Sequence, residues 1–120
     1  MAKFMLILHQ TPGAWQELSP EAMQEKVKQY RSWADKIRAS GRYVSSEKLG
    51  EEGGKYLGLQ KGRLTIVDGP YSEAKEVVGG YFLFRAADYE EAIQLTRDCP
   101  FLEDGTIGLR QTDATGCGGE

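Results

Sequence analysis

His9, Asp68, Glu73 and Lys75 are the side chains of this sequence best suited to moving protons or gripping a small polar molecule. His9 has the intrinsic pKa for proton transfer near neutrality. Asp68 opens the turn Asp68-Gly69-Pro70, with Glu73 and Lys75 just downstream. Held at a strand end over a cleft between sheet and helices, these three would bind or protonate a small molecule, as loops on rigid scaffolds often do. Tyr30, Trp33 and Tyr81 would supply an aromatic wall for a flat organic ligand. His9 and Asp68 are therefore the candidate catalytic pair, and Tyr30, Glu73, Lys75 and Tyr81 the candidate ligand contacts.

Each of these has a plainer reading. A lone histidine is more often structural, because catalysis also needs partners within reach. The Asp-Gly-Pro turn is accounted for if Asp68 accepts backbone N–H bonds, Gly69 takes unusual dihedrals and Pro70 fixes the exit. Charged loop residues are usually solvated, and tyrosines in apolar stripes usually belong to a core. Gly79-Gly80, early in an apolar strand, is more telling: two glycines cost stability there unless a backbone, a bulge or a ligand comes close.

Other chemistries lack their residues. The sequence has no Gly-rich phosphate loop, no nucleophile elbow and no metal-ligand spacing. Cys99 beside Pro100 and Cys117 in a Gly-rich tail form no redox or disulfide pattern and read as free thiols. No metal and no cofactor is expected. With 15 basic and 18 acidic residues the net charge is −3, so there is no cation excess for nucleic acid or anionic lipid. No run approaches the ~18 apolar residues of a membrane span, and the apolar start is too short and too soon charged for a signal peptide. A cytoplasmic protein without membrane or nucleic-acid partners is expected.

The elements that must position these side chains can be read along the chain. Residues 3–9 are apolar on both alternating faces, as in a central strand covered on both sides. Ser19 caps a helix with Pro20 at its first position, and Met23, Val27, Tyr30, Ala34 and Ile37 form its stripe until Gly41 stops it. A strand over 43–49 follows, then a hairpin of 55–60 and 63–67 turning at Lys61-Gly62. Residues 78–84 make a second two-sided strand, Asp88 caps a short helix ending before Pro100, and 106–112 is a last strand.

Without the hairpin, the order is strand, helix, strand, strand, helix, strand, the pattern of an α+β, ferredoxin-like sandwich. One domain over residues 1–113 with a loose tail at 114–120 is expected. Right-handed crossovers put both helices on one face of the sheet. The other face is also greasy, with Met5 and Ile7 on the first strand. A second copy packed sheet on sheet is the simplest cover, making the protein a homodimer. The competing cover is the 50–67 insertion folded back over that face, weighed lower because it carries few large apolar residues.

Residues 67–81, Val-Asp-Gly-Pro-Tyr-Ser-Glu-Ala-Lys-Glu-Val-Val-Gly-Gly-Tyr, resemble the signature of the DGPF family, part of the wider YCII-related group. Tyr71 and Ser72 stand where the family usually has phenylalanine and alanine. The resemblance implies a ferredoxin-like fold paired as a dimeric α/β barrel. Better-studied YCII-like relatives are thought to be enzymes using a histidine and aspartate pair, and this chain has Tyr30 where that helix histidine would stand. DGPF proteins are often encoded beside extracytoplasmic-function sigma factors, an association without a mechanism. Two functions are thus expected to compete: a metal-free acid/base enzyme acting on a small metabolite, and a small-molecule-binding or regulatory dimer without catalysis.

Overall fold

The computed structural model describes residues 1–11, 18–50, 52–69 and 76–113. Glu73 and Lys75, most of the loop that bears the signature, and the 114–120 tail lie outside the described residues. The chain runs β1 (Ala2–Gln10), α1 (Pro20–Ala39), β2 (Tyr43–Lys48), β3 (Lys55–Gln60), β4 (Arg63–Asp68), β5 (Val77–Ala86), α2 (Tyr89–Thr96), a 3₁₀ turn (Pro100–Glu103) and β6 (Gly105–Gln111).

Local chemistry sets these boundaries. Ser19 Oγ accepts the Ala22 N–H at 3.1 Å, satisfying one open donor at the start of α1. Gly41, at φ +80°, lets the chain leave that helix in a conformation that few other residues adopt. Asp88 accepts the Glu91 N–H at 2.9 Å and starts α2. Lys61 and Gly62 both have positive φ, the two-residue turn that matches the twist of a hairpin.

β2, β5, β1 and β6 pair in that order, all antiparallel, as one four-stranded sheet. Both helices cover one face. Phe4, Leu6, Phe82 and Phe84 point from β1 and β5 into the core, where they meet Trp33 and Ile37 of α1, Ala92 of α2, and Phe101. Trp33 and Phe82 have ring centroids 4.8 Å apart, and the indole N–H of Trp33 donates to the Leu95 carbonyl at 3.2 Å, tying the two helices together.

The stripe expected on α1 is corrected at its N-terminal half. Val27 is exposed, whereas Trp33 is buried beside Ile37. Lys26 is drawn away to Asp104, with both carboxylate oxygens 2.6 Å from its ammonium, and Tyr30 leans on Phe101. Val27 keeps the sheet side of the helix, lining a space there with Tyr30 and Ala34, but it is not sealed from solvent. That space lies between the sheet and the stretch of α1 from Val27 to Arg38.

The two glycines of β5 serve neighbours other than α1. The β1–β5 register passes from Leu8 opposite Gly80 to His9 opposite Val78, so Gly79 is the extra residue of a β-bulge. A Cβ on Gly79 would strike the Gln10 side chain, and one on Gly80 would lie 2.7 Å from the Glu47 carbonyl oxygen of β2. Bulge and close backbone approach are both present.

β3 and β4 form their own two-stranded sheet, and every residue in them except Thr65 is exposed. Leu57 faces Ile66 and Leu59 faces Leu64, leaving four aliphatic side chains on one side of the ribbon, each 59–76% exposed. The insertion therefore does not fold back over the open face of the sheet.

At the entry to α2, Glu91 accepts from Arg42 at 2.6 Å and from the Ala87 N–H at 2.8 Å. The Arg42 guanidinium first, and the backbone N–H second, hold this carboxyl below its ordinary range. A depressed carboxylate stabilises the fold above its unfolded pKa and loses that contribution as pH falls through the folded value. Glu91→Gln is accordingly expected to melt below the parent at pH 7, with the gap closing toward pH 3. A gap that stays constant across that range in thermal unfolding would remove this ion pair as its cause.

Candidate functional site

The space beneath α1 is a cavity of about 300 Å³. Leu6, Leu8, Phe82 and Phe101 form its apolar wall, Trp33 and Tyr30 come from α1, and Gln10 lies at its buried side. Arg31, Arg38 and Lys48 belong to its edge, together with Glu47 and Ser46. Its volume sits at the lower end of ordinary ligand pockets, which are mostly apolar with a few placed polar groups.

Gln10 is the unusual member. Alternation along β1 puts residues 4, 6, 8 and 10 on the helix side, so the last position of a core-facing row carries an amide. It is 5% exposed, and among the described residues its side chain has no hydrogen-bond partner. Buried amides are nearly always paired, and an unpaired one costs roughly 1–3 kcal/mol. The missing Cβ of Gly79 makes the room in which that amide lies.

Two titratable groups of the cavity wall, Tyr30 and Cys99, are held neutral. Burial chiefly, and then the Asp104 carboxylate, push the Tyr30 phenol far above its ordinary value, and its hydroxyl donates to Asp104 at 3.3 Å. Burial pushes the Cys99 thiol up to about 11. At the edge, Arg38 stacks over the Tyr43 ring at 4.5 Å, and Tyr43 bonds Ser46 at 2.9 Å. The Ser46 bond first, and Arg38 after it, lower the Tyr43 phenol.

The sequence-derived candidates scatter around this cavity. Tyr30 and Tyr81 both line it, and the Tyr81 hydroxyl lies 3.3 Å from Ser45 Oγ. His9 falls on the opposite side of the sheet, where its ring lies 3.3 Å from the place of a Cβ on Gly108. Asp68 ends β4 and forms an ion pair with Lys55, with 81% of its side chain exposed. Neither member of the candidate catalytic pair lines the cavity, and the single chain does not bring them into it. The glycine after Asp68 is needed for packing: a Cβ there would overlap the Tyr56 ring and come 2.6 Å from the Gly53 carbonyl.

Sequence reasoning missed Gln10, Arg31, Asp104 and the 3₁₀ turn. Gln10 had a legible signal, a polar side chain in phase with three core residues. Pro100 at a first helical position followed by Phe101 marked the turn.

An antiparallel sheet of this order, with two helices on one face and an apolar cavity beneath the first, places the molecule in the ferredoxin-like α+β class. The chain belongs to the YCII-related family, whose domain profile matches residues 2–112. No curated protein matches the sequence. Among solved structures it is similar to the 5-chloro-2-hydroxyhydroquinone dehydrochlorinase of Burkholderia phenoliruptrix AC1100, solved in complex with 2,5-dihydroxybenzoquinone. That likeness covers 92% of this chain and 93% of the other at 12% identity and a TM-score of 0.54, so what the two share is the fold. Among the described residues no helix is long and apolar enough to cross a membrane.

Proposed function

We propose that this protein binds a small, flat, largely apolar organic molecule in the cavity between α1 and the sheet. The observation that carries the proposal is the buried Gln10 amide, without a partner among the described residues, in an aromatic-walled space of about 300 Å³. A ligand that met this amide would turn a cost of the empty fold into affinity. The neutral phenol and thiol in the same wall support binding ahead of proton transfer there.

In a Trp15→Phe background, Trp33 is the remaining tryptophan and lies in the cavity wall. Titration with 2,5-dihydroxybenzoquinone, the molecule bound to the structural neighbour, is expected to quench its emission to a plateau. Ala34→Phe should abolish the plateau by filling the space. Quenching that rises linearly, and equally in both proteins, would end the proposal.

The second function is a metal-free acid/base enzyme with His9 and Asp68 as proton carriers, Glu73 and Lys75 assisting. Its support is the neighbour's own activity on a small ring compound. Chloride release from 5-chloro-2-hydroxyhydroquinone, lost in His9→Ala, would place this function first. Absence of release would leave binding alone.

The protein acts as a homodimer in this proposal. Met5, Ile7 and Leu83 alternate with the buried residues of β1 and β5 and so face away from the helices, and the hairpin displays four exposed aliphatic side chains, yet the hairpin leaves that sheet face uncovered within one chain. Two copies related by a two-fold axis would let each hairpin shelter its aliphatic side on the other protomer.

A further inference from the structure

Two arginines of α1 reach the edge of the cavity. Arg31 and Arg38 stand there, in a chain whose net charge is negative. Arg38 is engaged, bonding Asp35 at 3.1 Å and stacking on Tyr43. Arg31 differs: among the described residues its guanidinium has no hydrogen-bond or ionic partner. One face of α1 therefore presents an uncommitted guanidinium to solvent above the same space that holds an uncommitted amide on its buried side.

Two polar groups without partners among the described residues, one buried and one exposed, line the same apolar slot and define what would fill it. The amide offers an NH2 with two donor hydrogens and a carbonyl oxygen that accepts, so it asks for a polar group that enters the protein. The guanidinium asks for negative charge, in a planar geometry that suits two oxygens at once. Trp33, Phe82 and Phe101 between them suit a flat ring.

We infer that the ligand is a small planar ring bearing a conjugated oxyanion, a carboxylate or an enolate, with Arg31 holding the charge and Gln10 reading a polar group on the buried side. This inference rests on the cavity being the binding site and adds the chemical class of what enters it. Arg31 and Gln10 are then the specificity-determining residues, and Gly79 is the positioning residue that keeps Gln10 in place.

Isothermal titration at pH 8 separates the parts. Benzoate and ionised tropolone are the anionic probes, one for each source of oxyanion. Benzamide and tropone are their neutral counterparts. At least one anion is expected to bind no less than ten-fold tighter than its neutral counterpart, and which pair shows the preference tells carboxylate from enolate. Arg31→Met should erase that preference and its weakening by salt, while leaving the neutral probes unchanged. Gln10→Met should weaken anionic and neutral probes alike by ten-fold or more, with a thermal midpoint no lower than the parent, since it removes an unpaired buried amide. Gly79→Ala should reproduce the loss by displacing Gln10.

Neutral probes binding as tightly as the anions would overturn the charge inference and leave the cavity as the site. No binding by any probe would overturn both. A Gln10→Met protein that binds normally but melts lower would show that the amide serves the fold, and would overturn its role in recognition.

Discussion

Replacing Leu57 by glutamate and Ile66 by lysine is expected to turn an assembly of twice 13.3 kDa into single chains. The two positions face one another across the hairpin, so the new charges attract and the ribbon keeps its pairing while its outer surface ceases to be apolar. Both side chains are more than half exposed in one chain, at 64% and 61%. A two-fold axis doubles every contact, so four aliphatic groups lose their cover at once. At ~1.5–3 kcal/mol for full burial of each, scaled by the part exposed, the loss is roughly 4–7 kcal/mol. That corresponds to roughly three to five powers of ten in dissociation constant. Sedimentation equilibrium at micromolar concentration reads the result directly. The homodimer proposal fails if the parent sediments as a single chain, and the hairpin's part in it fails if the double variant still pairs.

Phe84→Ala should be the most damaging change to the fold itself. Phe84 is fully buried, pairs with Phe4 at 6.4 Å between centroids, and touches Phe82 at the same separation. Deleting such a ring costs ~3–5 kcal/mol, the transfer term plus the cavity left behind. For a chain of this length that lowers the melting midpoint by roughly 10–20 °C. Val27→Ala is the internal comparison: at 39% exposed it should cost well under ~1 kcal/mol. The helix stripe read from the sequence treats Val27 as core, so equal costs at Val27 and Phe84 would refute the observed packing of α1 and restore the periodic one.

Val27 also shows where sequence reasoning was sufficient and where it was not. The element order and nearly all boundaries were legible, because they follow from local rules: a serine with a proline behind it, a glycine past a helix, a Lys-Gly pair between alternating runs. The alternation of β1 told which residues face together. It did not tell that Lys26 would find Asp104, seventy-eight positions along the chain. Contacts of that range depend on the assembled fold, and periodicity carries no record of them.

The candidate site divides in the same way. Tyr30 and Tyr81 were singled out as aromatic wall, and both line the cavity. His9 and Asp68 were singled out for their chemical type, which says nothing about where the chain sets them down. Gln10 has no reactive group to mark it, and its phase along β1 is the clue that does. Gly79-Gly80 was noted as costly without a close neighbour, and the structure supplies two, the Gln10 side chain and the Glu47 carbonyl.

The hairpin closes on itself at its feet, where Lys55 meets Asp68 and the Gly69 N–H donates to the Gly54 carbonyl at 2.9 Å. Everything beyond that clasp is an aside in the chain, since the order β2-β5-β1-β6 is complete without it. Its arms can thus be lengthened or trimmed by matched residues, one on each side, without re-registering the sheet. In the proposed dimer, the reach of one molecule toward the other becomes a quantity that insertions and deletions can adjust independently of the interior.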